Sequence, residues 1–378
     1  MPQTGFPAVV VIGGGVIGNA VAVQLQLGGA AVTVIERDST YAAASSSLSA
    51  SSIRQQFSQP VNIALSQSGV AFLRDAAAHL SVDGDAPALA LREPGYLYLA
   101  SPNGADTLRA NHAVQCVAGV RAALLDPDLL RARFPWLCTD GLALGSLELD
   151  GEGWFDGPAL ASAFRRKARS LGAAWVHGDA VALERDGTRV PCGAVVNAAG
   201  PHARAVASMA GIAFPVEALR RCVFVFTCPE PLPGRPLVID TTGVWWWPEG
   251  DRFIAGWFPP DDAEDFGLHV NHALFDDVIW PALAARVPAF ERVRGTGAWA
   301  GHYEFNTFDH NALLGLHPDV PHLYLANGFS GHGMQQAPGV GRGIAELVLH
   351  GAYRTLDLSP LSVARLAEGR PLLERNII

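Results

Sequence analysis

The sequence predicts a two-domain α/β fold, in which a parallel-sheet domain is built from discontinuous segments and a second domain holds a mostly antiparallel β-sheet with flanking helices. The apolar run at 8–12 precedes a glycine-rich turn and a helical pattern, as a buried parallel strand does. A second strand, glycine-rich turn and helix are predicted much later, at 322–326, 327–333 and 338–349, and a further helix is predicted at 124–134. Between the two glycine-rich turns, residues 215–305 are rich in β-forming and aromatic residues, which favours antiparallel strands.

These changes in residue pattern also predict the domain boundaries. Segments 1–86, 151–214 and 306–378 are assigned to the parallel-sheet domain, and segments 87–150 and 215–305 to the antiparallel-sheet domain. The chain has 378 residues, of which 49% are hydrophobic and 17% are charged. This composition excludes a disordered chain, which is rich in charge and poor in apolar residues, and it excludes a coiled coil.

Charge and cysteine content limit the classes of function. The net charge of -9 argues against a nucleic-acid partner, and Lys167 is the only lysine among 27 basic residues, which argues against lysine Schiff-base chemistry. The five cysteines have no CxxC spacing and the histidines are dispersed, so no metal site is predicted. We expect a cytoplasmic protein with no membrane span, because we find neither a secretion signal nor a sufficiently long apolar stretch.

The first glycine-rich turn has the pattern Gly13-x-Gly15-x-x-Gly18 between a predicted strand and a predicted helix, the context in which this pattern binds a dinucleotide. Gly13 allows the tight turn, Gly15 lets a pyrophosphate approach the backbone, and Gly18 permits close packing of the helix on the strand. Val16 and Ile17 begin the helix, where free N–H groups and the positive dipole end favour an anion. The segment therefore predicts a Rossmann-type βαβ unit.

Glu36 and Arg37 follow the second predicted strand, at 31–35, and bear on the choice of dinucleotide. The Glu36 carboxylate can accept hydrogen bonds from both ribose hydroxyls and would repel a 2′-phosphate, although Arg37 weakens that repulsion. The glycine pattern alone does not separate NAD from FAD. The split domain and the second glycine-rich turn favour FAD, since a helix N-terminus near the flavin stabilises the negative charge of its reduced form.

Several segments together resemble the FAD-dependent D-amino-acid oxidase superfamily, in its glycine oxidase, sarcosine oxidase and dimethylglycine dehydrogenase branch. They are VVVIGGGVIGNA at 9–20, VIERD at 34–38, an Ala/Ser loop running into SSIRQQFS at 51–58, VVNAAGPHA at 195–203, GHYEFNTFDHNALLG at 301–315 and NGFSGHGMQQAPGVGRGIAE at 327–346. The resemblance covers nearly the whole chain. It implies oxidation of the C–N bond of an amine or N-alkyl amino acid, by hydride transfer to flavin N5 and hydrolysis of the resulting imine.

The resemblance also implies positions that hold FAD, with the glycines of the first turn and Glu36 at its ADP half. The remaining expected positions are Ser45, Ser46 and Ser47 along the pyrophosphate and ribityl chain, the Val181 backbone at the adenine, Ala199 and Gly200 near the ribose and phosphates, and Gly331, His332, Gly333, Met334 and Gln335 at the pyrimidine edge of the flavin.

The sequence departs from these relatives at two kinds of position. Sarcosine oxidase-like relatives tether the flavin to a cysteine where this chain has Gly301, and dimethylglycine dehydrogenase-like relatives use a histidine where this chain has Ala and Ser. We therefore predict non-covalent FAD. Some oxidases use a lysine to activate oxygen, and the resemblance matches that position to Ile254, while Gln335 replaces another lysine of the relatives after the second glycine-rich turn. This favours a dehydrogenase with another electron acceptor, with oxygen as the alternative.

Four aromatic and cationic positions are candidates for contact with the substrate. Trp245 and Trp247 lie on one face of a predicted strand and Trp246 on the other, so one of these two sets is expected to line the pocket, and we favour Trp245 and Trp247. Arg54 is the candidate clamp for a substrate carboxylate, with a structural ion pair as the alternative.

His302 and Tyr303 are candidates to orient the amine or a water molecule, whereas Asp309-His310 is interpreted as a turn. Relatives often carry an arginine near the third tryptophan of this strand, and its absence here argues against an amino-acid substrate. Three hypotheses follow: an FAD enzyme acting on a small-molecule amine or amino acid, a non-enzymatic or assembly-type flavoprotein with structural FAD, and an NAD-dependent Rossmann dehydrogenase. The sequence leaves the oligomeric state open.

Overall fold

The computed structural model describes residues 8–181, 190–259 and 263–375. In chain order the strands are β1 (Val9–Ile12), β2 (Val32–Glu36), β3 (Ser52–Ile53), β4 (Tyr96–Ala100), β5 (Ala123–Leu125), β6 (Leu144–Glu148), β7 (Gly153–Trp154), β8 (Ala174–His177), β9 (Ala194–Asn197), β10 (Val216–Thr227), β11 (Leu237–Ile239), β12 (Trp245–Glu249), β13 (Arg252–Gly256), β14 (Arg294–Asn306), β15 (Leu313–Leu316) and β16 (Leu323–Asn327).

The α-helices lie between these strands in the order expected of an α/β protein. They are α1 (Val16–Leu27), α2 (Ser45–Leu48), α3 (Pro60–Arg74), α4 (Ala76–Leu80), α5 (Ala105–Val117), α6 (Pro127–Arg133), α7 (Gly157–Ser170), α8 (Ala203–Ser208), α9 (Trp280–Arg286), α10 (Gly333–His350) and α11 (Ala364–Ala367). Helices α1, α3, α7 and α10 pack on one another beside the first sheet.

The first sheet has the strand order β15-β16-β9-β1-β2-β8. Strands β16, β9, β1, β2 and β8 run parallel, and only the edge strand β15 pairs in the antiparallel sense. All four residues of β1 are buried because helices cover this part of the sheet, and this explains its continuous apolar sequence. The sheet draws its strands from three separated parts of the chain, so the loops at its strand ends come from distant segments.

The second sheet has the order β14-β10-β13-β12-β11-β4-β6-β5. Its neighbours are antiparallel except for β11 and β4, which run parallel. One face packs with α9 around Phe253 and Phe290, and the other carries Trp245, Trp247 and Ile254. The α/β architecture predicted from the sequence, with parallel and mostly antiparallel sheets and flanking helices, is confirmed.

Two element predictions were wrong at their boundaries. Residues Ala123–Leu125 form a strand, so the helix predicted from 124 begins only at Pro127, where the Asp126 side chain accepts a hydrogen bond from the Leu129 N–H at 2.8 Å. The C-terminal helix predicted from Pro338 begins at Gly333. Pro338 therefore lies inside α10, although proline has no N–H to donate to the helix. Packing of α10 on α1 and α3 offsets the free-energy cost of that missing hydrogen bond.

Candidate cofactor and substrate site

Two connected cavities lie where the two sheets meet. The nucleotide cavity, of about 1810 Å³, extends along the carboxyl ends of β1 and β2 from Gly13 to Glu36 and Ala199. The inner cavity, of about 1140 Å³, reaches Arg54 and the tryptophans of β12. Their shared lining consists of Val16, Ile17, Ser45, Ser46, His302 and Glu304. An elongated ligand could therefore occupy both cavities, with one end in each.

The glycine-rich turn at the start of the nucleotide cavity leaves room for a ligand at one position only. Gly13 has φ +101°, and a Cβ on it would overlap the carbonyl oxygen of Ala198. A Cβ on Gly18 would overlap the carbonyl oxygen of Gly13, so this glycine lets α1 pack closely on the strand. At Gly15 the nearest atom to a Cβ is the Ser46 Oγ, at 3.7 Å, and the backbone there faces the cavity.

Hydrogen-bond donors converge on that open position. The first turn of α1 has neither a capping side chain nor an acidic residue, so its N–H groups at Val16 and Ile17 are available to an anion. Ser45 and Ser46 begin the short helix α2 and line both cavities, and the buried Ser45 Oγ has no hydrogen-bond partner among the described residues. This arrangement fits a pyrophosphate. Ser47 lies outside both cavity linings.

The Glu36 carboxylate is fixed at the end of β2 by two backbone groups. It accepts hydrogen bonds from the Gly14 N–H at 2.7 Å and from the Asp38 N–H at 2.8 Å. Arg37 lies at the rim and forms an exposed ion pair with Asp179 at 3.8 Å. Glu36 thus stands where the two hydroxyls of a ribose would be bound.

The far end of the nucleotide cavity differs in detail from the sequence prediction. Val181 is 64% exposed and is not part of the lining, whereas Gly178, Asp179 and Ala180 line the cavity. Ala199 lines it as expected from the sequence, together with the run Gly200–His202. Burial lowers the pKa of His202 to about 4, with a smaller effect from Arg37, so this imidazole is neutral at physiological pH.

The second glycine-rich turn borders the inner cavity. Gly331 has φ +92°, and a Cβ on it would overlap the ring of Tyr303, so only glycine lets the turn pack against this ring. Gly333 and Met334 line the cavity at the first turn of α10. Gln335 also borders it, but its Oε1 accepts hydrogen bonds from the Arg54 N–H at 2.8 Å and the Ser66 hydroxyl at 3.0 Å.

Arg54 is held in a fixed orientation at the edge of the inner cavity. Only 1% of it is exposed, and its guanidinium carbon lies 4.5 Å from the ring centre of Phe57. It hydrogen-bonds to the hydroxyl of Tyr98, and its Nη2 lies 2.8 Å from the His332 Nε2. Burial, with a further effect from Arg54, holds the pKa of His332 well below its usual value, so the neutral imidazole can accept this hydrogen bond.

The tryptophans of β12 separate onto two faces as the alternation of side chains along a strand requires. Trp245 and Trp247 stack with their ring centres 4.9 Å apart, and both line the inner cavity. Trp246 points to the other face, where it packs on Phe290 with ring centres 5.2 Å apart. The structure therefore places the pair favoured from the sequence in the cavity wall.

Three successive residues of strand β14, His302, Tyr303 and Glu304, line the inner cavity. The His302 Nε2 lies 3.2 Å from the carbonyl oxygen of Gly267, and burial lowers the pKa of this imidazole. Burial raises the pKa of Tyr303, so its phenol keeps its proton and can donate a hydrogen bond. Glu304 accepts a hydrogen bond from the Gly328 N–H at 3.2 Å, and burial raises its pKa to about 8.

Comparison with known proteins assigns the chain to a family. The family model for DAO, described as FAD dependent oxidoreductase, matches residues 8–347. The chain belongs to this family of FAD-dependent oxidoreductases. The match includes the glycine turn, Glu36 and the second glycine-rich turn, all of which line the two cavities.

Relatives extend along most of the chain. It is 41% identical to the FAD-dependent oxidoreductase domain-containing protein 1 of Xenopus laevis, over 98% of this chain and 84% of that protein. It is 27% identical to the glycine oxidase of Geobacillus kaustophilus, over 94% of this chain and 96% of that enzyme. In structure it is similar to L-proline dehydrogenase from P. horikoshii, with a TM-score of 0.83, 24% identity and coverage of 98% and 100% of the two chains.

The wall of the inner cavity includes Gly301, the position that the sequence analysis matched to a flavin-attaching cysteine. A Cβ on Gly301 would lie 2.9 Å from the Leu48 Cβ, so a larger side chain would have to displace α2. The residues lining the two cavities include no cysteine among those that the structure describes, and all five cysteines are free thiols. Lys167, the single lysine, donates to the Ser81 carbonyl at 3.0 Å, away from both cavities.

The sequence analysis did not identify two charged residues that line the inner cavity. Arg221, on β10, is only 8% exposed and lines the cavity. Glu304 lines both cavities. The sequence offered one signal for Arg221, which is a charged residue directly before the apolar strand pattern of Cys222–Phe226. A charge there requires either an end of the strand or a polar cavity.

Two further features of the described segments concern clusters of metal-ligating side chains and helices that could span a membrane. Across residues 8–181, 190–259 and 263–375, no group of three or more His, Cys, Asp or Glu side chains is arranged to hold a metal ion. None of the helices in this part of the chain combines the length and apolar character needed to cross a bilayer.

Proposed function

We propose that the protein uses non-covalently bound FAD to oxidise the C–N bond of an amine or N-alkyl amino acid. The observation that carries this proposal is the inner cavity, in which Arg54 and the Trp245–Trp247 pair adjoin the turn expected to border the flavin. When bound, FAD supplies a hydride acceptor next to the carbon that bears the nitrogen. The relatives named glycine oxidase and L-proline dehydrogenase support an amino acid as the substrate class.

The tryptophan wall has a defined task in this reaction. An amine must be neutral to release a hydride from the adjacent carbon, and an apolar wall lowers the pKa of a bound ammonium by removing water. The stacked rings of Trp245 and Trp247 provide such a wall, and their faces can hold the cation before it loses its proton. The imine that results is hydrolysed in water to a carbonyl compound and a free amine.

Arg54 and Tyr303 would orient the substrate. The Arg54 guanidinium is fixed by Tyr98, Phe57 and His332, so little side-chain entropy is lost when it binds a carboxylate. The protonated Tyr303 hydroxyl can donate to the carboxylate or to the water that attacks the imine. His302 borders both cavities and would contact the part of the ligand that passes between them.

The electron acceptor is proposed to be a carrier other than oxygen. The position that the resemblance matches to an oxygen-activating lysine is Ile254, which packs in an apolar cluster with Trp245 and Trp247. Gln335 is engaged by Arg54 and Ser66. Without a fixed cation of this kind, the protein lacks one means of stabilising the negative charge that develops as oxygen is reduced.

An anaerobic visible spectrum tests the function. The purified protein should show an oxidised-flavin band that bleaches when glycine, L-proline or N-methylglycine is added, and the yellow colour should leave the protein on acid precipitation. Slow recovery of the band in air, with fast recovery on adding an artificial electron acceptor, would support a dehydrogenase. A band that no amine bleaches would favour a structural flavin, and failure to bind added FAD would overturn the proposal.

A further inference from the structure

Part of the nucleotide cavity is covered by a segment without regular secondary structure, residues 263–268, which we call the covering segment. It lies between β13 of the second sheet and α9. Nevertheless, its residues Phe266 and Leu268 line the nucleotide cavity together with the glycine-rich turn that follows β1. This cavity therefore has one wall that does not come from the first sheet and its loops.

The covering segment is attached to both parts of the molecule. The Asp265 N–H donates to the Ala218 carbonyl oxygen on β10 at 2.8 Å, and the Asp265 carboxylate forms an ion pair with Arg220 at 2.7 Å. On the other side, Glu264 forms an ion pair at 3.2 Å with Arg204 of α8, a helix that contacts β9 of the first sheet. These contacts give the segment a defined position over the cavity.

The apolar side chains of the covering segment are only partly covered by the protein itself. The Phe266 ring stacks on the His202 imidazole, with ring centres 5.0 Å apart and planes inclined by 14°, and lies 6.2 Å from the His302 ring. Even so, 49% of Phe266 and 37% of Leu268 are exposed. Exposed apolar side chains in a cavity wall are typical of a ligand-binding surface, because a bound ligand removes them from water.

The contacts of His202 place this surface toward the Glu36 end of the nucleotide cavity. Arg37 and Asp179 both act on the His202 imidazole, and both line the cavity at that end. Burial keeps this imidazole neutral, so its stack with Phe266 presents uncharged ring surface. A dinucleotide whose ribose hydroxyls bind Glu36 would therefore have its ADP half next to the covering segment.

We infer that the covering segment clamps the ADP half of the cofactor, with Phe266 and Leu268 closing over it and slowing its release. This inference rests on the proposed function, in which FAD is bound without a covalent link. Such a cofactor is retained only as long as its dissociation is slow, and loss of a contact made in the bound state acts mainly on the dissociation rate. The second sheet thereby contributes to retention of the cofactor as well as to the wall of the inner cavity.

The rate of FAD release tests the clamp without turnover. After dilution of the FAD-loaded protein, the flavin fluorescence change that accompanies release should be about tenfold faster in Phe266→Ala, because apolar area covered by the ligand is lost. Phe305→Ala is the matched control, since this ring also packs on an imidazole, that of His310 at 4.8 Å, but lies outside both cavity linings. An unchanged rate in Phe266→Ala, or equal acceleration in the control, would overturn the inference.

Two further variants separate the apolar contact from the position of the segment. Phe266→Leu retains most of the apolar area and should release FAD only about twofold faster than the unmodified protein. Asp265→Asn weakens the attachment to Arg220 and should also accelerate release, although Asp265 lies outside the cavity lining. If Phe266→Leu releases FAD as fast as Phe266→Ala, apolar cover does not retain the cofactor and the inference is wrong.

Titration with ADP separates failure of this inference from failure of the proposed function. ADP lacks the flavin, and its affinity for the full chain freed of FAD should fall about tenfold in Phe266→Ala. Faster FAD release with an unchanged ADP affinity would place the contact at the flavin half and overturn the inference. If ADP affinity depends on Phe266 while no amine bleaches the flavin, the clamp stands and the proposed amine oxidation fails.

Discussion

The nucleotide cavity and the inner cavity share a wall but are built in different ways. The nucleotide cavity presents backbone N–H groups, small residues and one carboxylate, and its main elements lie within residues 13–46. The inner cavity presents long side chains from β10, β12 and β14 and from the turn before α10. Backbone recognition depends on local conformation, which glycine spacing encodes, whereas side-chain recognition depends on how distant strands are brought together.

The largest expected effect tests the backbone nature of the nucleotide cavity. Gly13→Ala would place a Cβ against the Ala198 carbonyl at a residue with φ +101°, which we expect to cost about 3 kcal/mol in the free energy of unfolding and to abolish FAD binding. Chemical denaturation and flavin content measure both effects. Gly104→Ala is the control, since its Cβ would have no neighbour nearer than 3.6 Å. Normal FAD content in Gly13→Ala would contradict the proposed turn.

A second substitution tests whether the inner cavity acts through side chains. Arg54→Met should lower kcat/KM for a carboxylate-bearing amine about 100-fold, because a buried charge-assisted pair is lost, and should leave an amine without a carboxylate nearly unaffected. FAD content should stay close to that of the unmodified protein. Equal loss with both kinds of amine would instead indicate that Arg54 is structural, through its contacts with Tyr98 and His332.

The two faces of β12 provide a smaller and internally matched comparison. Trp247→Phe should raise KM about fivefold, because the stacked wall of the inner cavity shrinks. Trp246→Phe should leave KM unchanged and lower the free energy of unfolding by about 1–2 kcal/mol, because Trp246 is fully buried beside Phe290. Steady-state kinetics and urea denaturation of both variants measure these effects. A raised KM in Trp246→Phe with an unchanged KM in Trp247→Phe would indicate that the substrate contacts the other face of β12.

The smallest expected effect is a pH dependence of FAD affinity, which arises from Glu304 in the wall that both cavities share. Burial raises the pKa of Glu304 to about 8, so this carboxyl should be mostly neutral at pH 7 and mostly ionised at pH 9. FAD affinity should therefore fall a few-fold over this interval, because a carboxylate repels the anionic pyrophosphate. Neighbouring His302 and His332 have lowered pKa values and stay neutral throughout, and the raised pKa of Tyr303 keeps it protonated.

Glu304→Gln should bind FAD with the same affinity at pH 7 and pH 9. Glu152→Gln is the control, because burial also raises the Glu152 pKa to about 8 but this carboxyl lies outside both cavity linings and accepts a hydrogen bond from the Gln56 N–H at 2.9 Å. Fluorescence titration of the apoprotein with FAD measures the affinities. A pH dependence that Glu304→Gln retains would assign it to another group.

Sequence reasoning was most effective where function depends on local backbone geometry. The strand, glycine turn and helix from Val9 to Leu27 follow from short-range patterning, as does the position of Glu36 at the end of β2. The separation of Trp246 from Trp245 and Trp247 follows from the two-residue period of a strand. The prediction of the α10 start was wrong, because the sequence suggested a helix beginning at Pro338 whereas α10 begins at Gly333. Tertiary packing outweighs local helix propensity at this position.

The fold class, the glycine-rich turn of the dinucleotide-binding pattern and the FAD-dependent family could all be predicted from the sequence, because each depends on residues that are neighbours along the chain. Three features became visible in the folded chain alone: Arg54 is fixed by Tyr98 and His332, Arg221 and Glu304 line the inner cavity, and Val181 does not line the nucleotide cavity. Those contacts join residues on separate strands and turns. Their chemistry arises from burial and from approach between distant segments, which no local spacing specifies.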